Sequence, residues 1–467
     1  MTASSPAPPR TSRSPEDIVT GKDVLELLSS SMYVNPLTIY REYVQNATDA
    51  IDEASLSGFY SGRIPPTIEI TIQPQERVVK LRDNGVGISG AKFERILTAI
   101  GSSKKRGASA RGFRGVGRLA GLGYCQELIM RAKAKSEPRV SIMRWSGRRL
   151  KELLQDPQEM SLQQTVAEIV SVESQPSTNL TEHFFEVELQ NVARSGNDVL
   201  LNEVAVADYL GQHGPIPFSP TFSHGVAIQE FLGRFKVGQS YATNLNGKGL
   251  LRPFSDSFEV RKGVQSQFRE PEFFEIPAVS DGLAAVGWVL HSDYAGAIPE
   301  RFGIKGLRVR VGNVQIGDSR LLDNVFPETR FNSWVVGEFH ALSPKLVPNG
   351  RRDDFEQTNH YGHFIKELIP KARAIYKRCR DASAQRTENK QPHLDSANNG
   401  GLDLLRVRRF FVEHARRKLS RDHKKKLKAL LSRPRGGAIT YGEMMTVLLD
   451  RNGGPVRAAP VKPGKTS

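Results

Sequence analysis

Glu42, Asn46 and Asp49 fall four and three residues apart within Arg41-Glu-Tyr-Val-Gln-Asn-Ala-Thr-Asp-Ala50. On a helix such residues rise along one face. A carboxylate one turn before a carboxamide suits a water-activating base beside a magnesium ligand. Mg²⁺ prefers oxygen ligands and completes its shell with waters and substrate phosphates. A plain exposed polar face has the same composition, so this segment decides nothing alone.

Two further segments narrow the chemistry. Asp83-Asn-Gly-Val-Gly87 sets a carboxylate beside two glycines, which lets backbone approach a flat ring while the carboxylate accepts from an exocyclic amine. Asn-Gly is also a common turn. Gly101-Ser-Ser-Lys104 then leads to Gly112-Phe-Arg-Gly-Val-Gly117, with Lys105, Arg106, Arg111, Arg114 and Arg118 in and around it. Glycines permit close approach, and the apolar run Leu119, Ala120, Leu122 predicts a helix whose N-terminus faces anions. The spacing is not that of a P-loop, and a flexible basic loop would look alike. In order, the three segments supply a base, a magnesium ligand, an adenine acceptor and a phosphate cradle.

The elements that must position them are legible. Pro36 with Leu37, Tyr40, Val44, Ala47 and Ile51 predicts a helix opened by proline and buried on one face. Thr67-Ile-Glu-Ile-Thr-Ile72 alternates like a half-buried strand, Gln73 to Glu76 reads as a hairpin connection, and Val78 to Leu81 runs directly into Asp83.

Together the segments resemble the Bergerat-type (GHKL) ATPases: DNA gyrase, chaperones of the heat shock protein 90 type, histidine kinases and MutL. Glu42, Asn46 and Asp49 match the N-box, and Asp83, Gly85 and Gly87 the adenine-site box. Ser102, Ser103, Lys104, Gly112, Gly115, Val116 and Gly117 fall in the glycine boxes that flank the lid. The resemblance implies that Glu42 polarises the attacking water, Asn46 holds Mg²⁺, Asp83 accepts from the adenine amino group and the second glycine box covers the phosphates of ATP. Glu42 argues against the kinase branch. The stretch Leu346-Val-Pro-Asn-Gly-Arg-Arg-Asp-Asp-Phe355 resembles the chaperone segment that sends an arginine to the γ-phosphate, with Asn349 and Arg352 at the matching positions. Gly306 to Gly317 resembles the strand-rich part of the chaperone middle domain, and Leu210 to Phe218 the passage into it. Gly112-Phe-Arg-Gly115 follows the MutL version of its box, and the stretch between Lys104 and Gly112 implies a short lid. The family's Gly-Thr signature lacks its glycine here, which leaves Thr181, before the strand Phe184 to Leu189, as its counterpart.

Length agrees: 467 residues correspond to about three domains. The expected organisation is a disordered tail (1–17), an ATPase domain (18–218), a chaperone-like middle domain (219–380), a linker (381–402) and a basic helical C-terminal region (403–467). The expected fold class is α/β: a mixed sheet covered by helices, then a second α/β domain. Strands are expected near Ala284 to Leu290 and Leu307 to Ile316, with a closing helix from His363 to Lys377. No stretch approaches ~18 apolar residues, and the start of the chain lacks a secretory core, so a cytoplasmic protein without a membrane span is expected. The two cysteines, Cys125 and Cys379, imply no disulfide framework.

Charge is uneven. The chain carries +16, and residues 401 to 467, with 17 Lys and Arg against 5 Asp and Glu, hold three quarters of that excess. Leu404, Val407, Phe411, Ala415 and Leu419 give a helical apolar face before Arg421-Asp-His-Lys-Lys-Lys-Leu-Lys428. Two alternatives stand: a helix docking on the body or a twin, or a salt-sensitive contact with nucleic-acid phosphates. The expectation is an ATP-hydrolysing, chaperone-like homodimer that remodels protein clients. The alternative is a DNA-associated clamp of MutL, topoisomerase or MORC kind.

Overall fold

The computed structural model describes residues 20–27, 35–60, 64–100, 117–194 and 196–388. The chain divides into two compact units, Met1–Arg386 and Thr387–Ser467. The first holds the described fold. The tail, most of the expected linker and the basic C-terminal region lie outside the described residues.

A short helix, α1 (Asp23–Glu26), precedes the long α2 (Thr38–Leu56). The predicted apolar face of α2 is buried: Leu37, Tyr40, Val44, Ala47 and Ile51 are all at most 8% exposed. That face lies on a sheet built from β1 (Thr67–Gln73), β2 (Val78–Asp83), β3 (Glu127–Lys133), β4 (Arg139–Ser146), β5 (Val170–Pro176), β6 (Phe184–Gln190), β7 (Ala242–Leu245) and β8 (Lys248–Gly249). The strand order is β5-β4-β3-β6-β2-β1-β7-β8. All neighbours are antiparallel except β1 and β7, so the sheet is mixed. Helices α3 (Gly90–Thr98), α4 (Gly147–Gln155), α5 (Leu162–Ile169) and α6 (Glu203–His213) complete this part.

Alternation in β1 and β2 sends Ile68, Ile70, Ile72, Val79 and Leu81 into the core under α2. The opposite face carries a cross-strand ladder of ion pairs, Lys80–Glu188–Arg131–Glu186–Arg82. One face therefore builds the core and the other is occupied by paired charge.

The chain then leaves this sheet and comes back. Residue 218 precedes α7 (Gly225–Arg234), yet β7 returns at Ala242 to pair in parallel with β1. The first sheet therefore extends past the domain boundary expected at 218. After the hairpin β9 (Ser257–Arg261) and β10 (Val264–Gln267) comes a second sheet. Its strands are β11 (Glu272–Pro277), β12 (Leu283–Leu290), β13 (Gly306–Val311), β14 (Val314–Ile316) and β15 (Val336–Ala341), in the order β11-β12-β15-β13-β14. Its core joins one face of the sheet to α8 (Asn359–Glu388) through Phe339, Phe364, Leu368, Ala372 and Ile375. The closing helix is thus longer at both ends than its apolar pattern predicted.

One local expectation is corrected. The run after Gly117 forms two 3-10 turns, Gly117–Leu119 and Leu122–Tyr124, rather than an α-helix. The cause is packing. Leu119, Ala120 and Leu122 are buried, and a Cβ on Gly121 would stand 2.5 Å from the Tyr43 hydroxyl. The segment is pressed against α2 and has no room for a helical cylinder of side chains.

Candidate functional site

Helix α2 presents Glu42 and Asp49, 8% and 7% exposed, with the half-buried Asn46 between them. Asp83 ends β2 and is 2% exposed. Its Oδ1 accepts the Gly85 N–H at 2.8 Å. Burial pushes the Asp83 carboxyl up to about 7, against the lowering effects of the Gly85 N–H and the Arg82 charge.

The glycines are where backbone or side chains come closest. A Cβ on Gly85 would lie 2.6 Å from the Ala50 carbonyl carbon, and the next residue, Val86, donates its N–H to Ala50 O at 3.1 Å. Gly87 has φ +67, and a side chain there would run into the Lys133 carbonyl. The segment from Asp83 to Gly87 is therefore welded to α2 on one side and to β3 on the other. On Gly117, a Cβ would stand 2.6 Å from Glu42 Oε2, so this glycine leaves the carboxylate its space.

A small apolar cavity lies between α2 and the sheet, lined by Tyr43, Asn46, Leu81, Arg118, Phe185 and Val187. Tyr43 holds the segment after Gly117 in place: Gly121 N–H donates to its hydroxyl at 2.8 Å, and the hydroxyl donates to Arg118 O at 3.4 Å. The Arg118 guanidinium donates to the carbonyls of Ile96 and Ala99. Phe185 faces Asp83 across the β2–β6 pairing. The cavity is thus walled mainly by apolar side chains, with the Asn46 carboxamide among them, and Asp83 lies next to its lining residue Phe185 through the β2–β6 register.

The second sheet also reaches this site. Asn349 and Asp354 pair across a tight turn that carries Arg351 and Arg352. Arg352, 7% exposed, places Nε 3.5 Å from Glu42 Oε1. Arg351 points elsewhere, its guanidinium exposed and paired with Asp353 at 2.9 Å. Arg41 bridges the two parts, with Nη2 3.3 Å from both Glu42 Oε1 and Arg351 O. Asn349 holds the turn by donating to Asp353 Oδ1 at 2.6 Å.

Of the residues singled out from sequence, Glu42, Asn46, Asp49, Asp83, Gly85, Gly87, Gly117 and Arg352 belong to this arrangement. Ser102, Ser103, Lys104, Gly112, Gly115 and Val116 lie outside the described residues. Thr181 sits in an exposed turn and donates its hydroxyl to Asn179 Oδ1 at 2.8 Å. The residue registered against Asp83 is Phe185, four positions later. Arg41, Tyr43, Phe185 and His183 were not singled out. Arg41 was signalled only by preceding Glu42, and Phe185 by alternation along β6. His183 gave no signal. Among the described residues no group of three or more His, Cys, Asp or Glu is arranged to hold a metal ion.

This combination, a helix-borne acid and amide over a mixed sheet with an aspartate–glycine loop, defines a nucleotide-binding domain class. Residues 36–176 match the family described as histidine kinase-, DNA gyrase B- and HSP90-like ATPase, and this part of the chain is a domain of that family. The chain is also similar to proteins named chaperone protein HtpG. The one from Nocardia farcinica is 33% identical over 91 residues, 18% of this chain and 14% of that protein. That of Mycobacterium leprae is 30% identical over 96 residues, covering 19% and 14%. That of Helicobacter acinonychis is 26% identical over 132 residues, covering 24% and 20%. The matched stretch thus spans only a seventh to a fifth of these relatives. No helix among the described residues is long and apolar enough to cross a membrane.

Proposed function

We propose that this chain is an ATP-hydrolysing, chaperone-like protein in which nucleotide occupancy governs how the second sheet engages the first. The contact between Arg352 and Glu42, made across the two sheets, carries the proposal. Asp83 accepts from the adenine amino group, with Leu81, Phe185 and Val187 against the ring. Glu42 takes a proton from the water that attacks the γ-phosphate, a role worth roughly 10²- to 10⁴-fold in rate. Arg352 neutralises charge developing on the transferred phosphoryl group. Mg²⁺, held by Asn46 together with the substrate phosphates, would screen their negative charge.

In this reading Ser102, Ser103, Lys104, Gly112, Gly115, Val116 and Gly117 attend the phosphates, and lid closure over them accompanies binding. Asp49 supports the helix face from which Asn46 acts. A homodimer acting on protein clients is the accompanying assembly; the clients are supported by the word chaperone in the name of the similar proteins. A DNA-associated clamp is the second reading, favoured by the basic excess of residues 401 to 467.

Steady-state ATP hydrolysis at two salt concentrations, with and without duplex DNA, tests both, with Glu42→Ala as the blank. Glu42-dependent turnover indifferent to DNA, with suppressed aggregation of an unfolded client, supports the chaperone-like protein. Stimulation by DNA that fades at high salt and disappears without residues 403 to 467 supports the clamp. Turnover equal in Glu42→Ala and wild type sinks the hydrolytic reading.

A further inference from the structure

Asp83 Oδ1 accepts the Gly85 N–H at 2.8 Å, and that N–H belongs to the peptide between Asn84 and Gly85. The carbonyl of the same peptide, Asn84 O, accepts from the Tyr60 hydroxyl at 2.9 Å. A trans peptide unit is a rigid plate whose C=O and N–H point in opposite directions. Holding the carbonyl therefore sets the direction of the N–H. Burial, with the charges of Asp83 and Asp52 nearby, raises the Tyr60 hydroxyl above its ordinary value, so it keeps the proton it donates.

The groups on either side of this plate are held by other partners. Asn84 is anchored to the start of β1: its side-chain Oδ1 accepts the Thr67 N–H at 2.9 Å, and its Nδ2 donates to Pro65 O at 2.8 Å. The next peptide, between Gly85 and Val86, has its own pair, with His183 Nδ1 2.6 Å from Gly85 O and the Val86 N–H donating to Ala50 O at 3.1 Å. Between these anchors the Asn84–Gly85 plate can tilt about its flanking bonds, and Gly85 has no Cβ to limit it. The Tyr60 hydroxyl restrains that tilt at the carbonyl end. Tyr60 itself is delivered by the end of α2, where Gly58 N–H donates to Ser55 O and Phe59 N–H to Ala54 O, the paired bonds of a Schellman motif. The chain reverses there, and the Tyr60 ring packs on the first core with an edge contact to His183 at 6.2 Å.

We propose that Tyr60 is a positioning residue for base recognition: its hydroxyl holds the Asn84–Gly85 peptide so that the Gly85 N–H fixes Asp83 Oδ1 and the carboxylate is presented in one orientation. This rests on the reading of Asp83 as the adenine acceptor. A buried acceptor aimed at an exocyclic amine rejects a ring bearing a carbonyl at that place, because two acceptors then face each other without a proton. Preference for ATP over inosine triphosphate therefore reports the aim of the carboxylate. General stability drops out of the ratio, since both ligands bind the same fold and carry the same phosphates.

The test measures equilibrium binding of both nucleotides to the full chain, beside a denaturation curve. Tyr60→Phe keeps the ring and removes one oxygen at a half-buried position, so it isolates the hydroxyl. It is expected to weaken ATP about three- to tenfold, the range of one lost hydrogen bond, with inosine triphosphate little changed. Ile375→Val, on α8 in the core of the second sheet, is expected to lower stability and keep the wild-type preference. Equal preference for ATP in Tyr60→Phe and wild type overturns the proposal. An equal loss for the two nucleotides also overturns it, because the hydroxyl would then support the fold rather than the aim of Asp83. A preference lost in Ile375→Val as well would tie the ratio to stability and overturn it too. Asp83→Asn separates the two levels: ATP binding unchanged by it refutes the adenine-acceptor reading itself, whereas loss there with wild-type preference in Tyr60→Phe refutes only the role of Tyr60.

Discussion

Arg352 Nε lies 3.5 Å from Glu42 Oε1, and both residues are more than nine-tenths buried. A guanidinium from the second sheet's side of the molecule thus meets a carboxylate on α2. Arg351, one residue earlier, turns outward to Asp353. The tight turn sends the two neighbouring side chains apart, and only Arg352 meets Glu42.

Arg352→Ala is therefore expected to lower ATP turnover roughly 10²- to 10³-fold, as when one transition-state donor is removed, with little change in nucleotide affinity. Arg351→Ala is expected to stay near wild type. Arg352 also has φ +57, which an L side chain pays for in strain. Arg352→Gly should lose as much turnover as Arg352→Ala while melting higher. The gain should be up to about 1 kcal/mol once glycine's extra freedom in the unfolded chain is subtracted. Parallel turnover and denaturation curves check both parts. An Arg351→Ala variant more damaged than Arg352→Ala would reverse the assignment.

Asp83 is expected to make stability and nucleotide binding depend on pH in opposite directions. Its carboxyl is pushed from 3.8 to about 7 in the folded protein. Between those values the native state holds a proton that the unfolded chain has released, so this group's contribution falls as pH rises through the window. Asp83→Asn should remove that part of the slope and become more stable than wild type, relative to acid conditions, above about pH 7. Affinity for adenosine should instead rise with pH across the same window, because the ionised carboxylate is the better acceptor of the amine. Adenosine is the right ligand, since phosphates titrate near pH 6 on their own. A flat adenosine affinity from pH 5.5 to about 8 would detach Asp83 from the base.

Much of this was legible in the chain because it is local. The α2 face needs only a 3.6-residue period, and β1 and β2 need only alternation, so Glu42, Asn46 and Asp83 could be placed from sequence. Arg352 was placed by likeness of the loop alone; its arrival at Glu42 is a long-range event that no local pattern encodes. The return of β7 to β1 is of the same kind, a short strand whose Ala242-Thr-Asn-Leu245 shows little pattern and is specified by its partner. The helix expected after Gly117 failed because apolar residues were counted without knowing that Tyr43 and Glu42 press against those glycines. His183 was hidden because its partner is a backbone carbonyl, which leaves no mark in the sequence.

Two glycines with matching backbone separate conformational strain from crowding. Gly58 has φ +68 with open space around it, and Gly87 has φ +67 with the Lys133 and Phe184 carbonyls where a side chain would go. Gly58→Ala should cost roughly 1–2 kcal/mol, the strain of an L residue in that region. Gly87→Ala carries the same strain plus an overlap with backbone that cannot move aside without opening the β3–β6 pairing. It should cost at least twice as much and weaken ATP binding. Urea denaturation of both variants measures the difference. Equal losses would mean that the loop from Asp83 to Gly87 can shift away from β3.

Glu338 is the remaining test, at the joint between the two sheets. It is fully buried on β15, with Oε2 accepting from Arg252 at 2.7 Å and Oε1 from Arg310 at 2.6 Å. The same two arginines hold the chain that leaves α6: Arg310 donates to Gln212 O and Gly214 O, and Arg252 to Ile216 O. Burial alone would raise the Glu338 carboxyl, but the two guanidiniums hold it well below the usual carboxylate range. Its stabilising contribution is therefore complete above about pH 4.3, the unfolded value, and is lost as pH falls through the folded one. Glu338→Gln leaves two buried guanidiniums without their counter-charge and should destabilise by about 3–5 kcal/mol near neutral pH. Its acid limb should also be shallower than that of wild type. Because the same arginines fix residues 212 to 216 against the second sheet, a folded Glu338→Gln protein should show reduced turnover with ATP affinity retained. Stability within about 1 kcal/mol of wild type would mean that the backbone carbonyls alone satisfy both arginines, leaving Glu338 no part in fixing the joint.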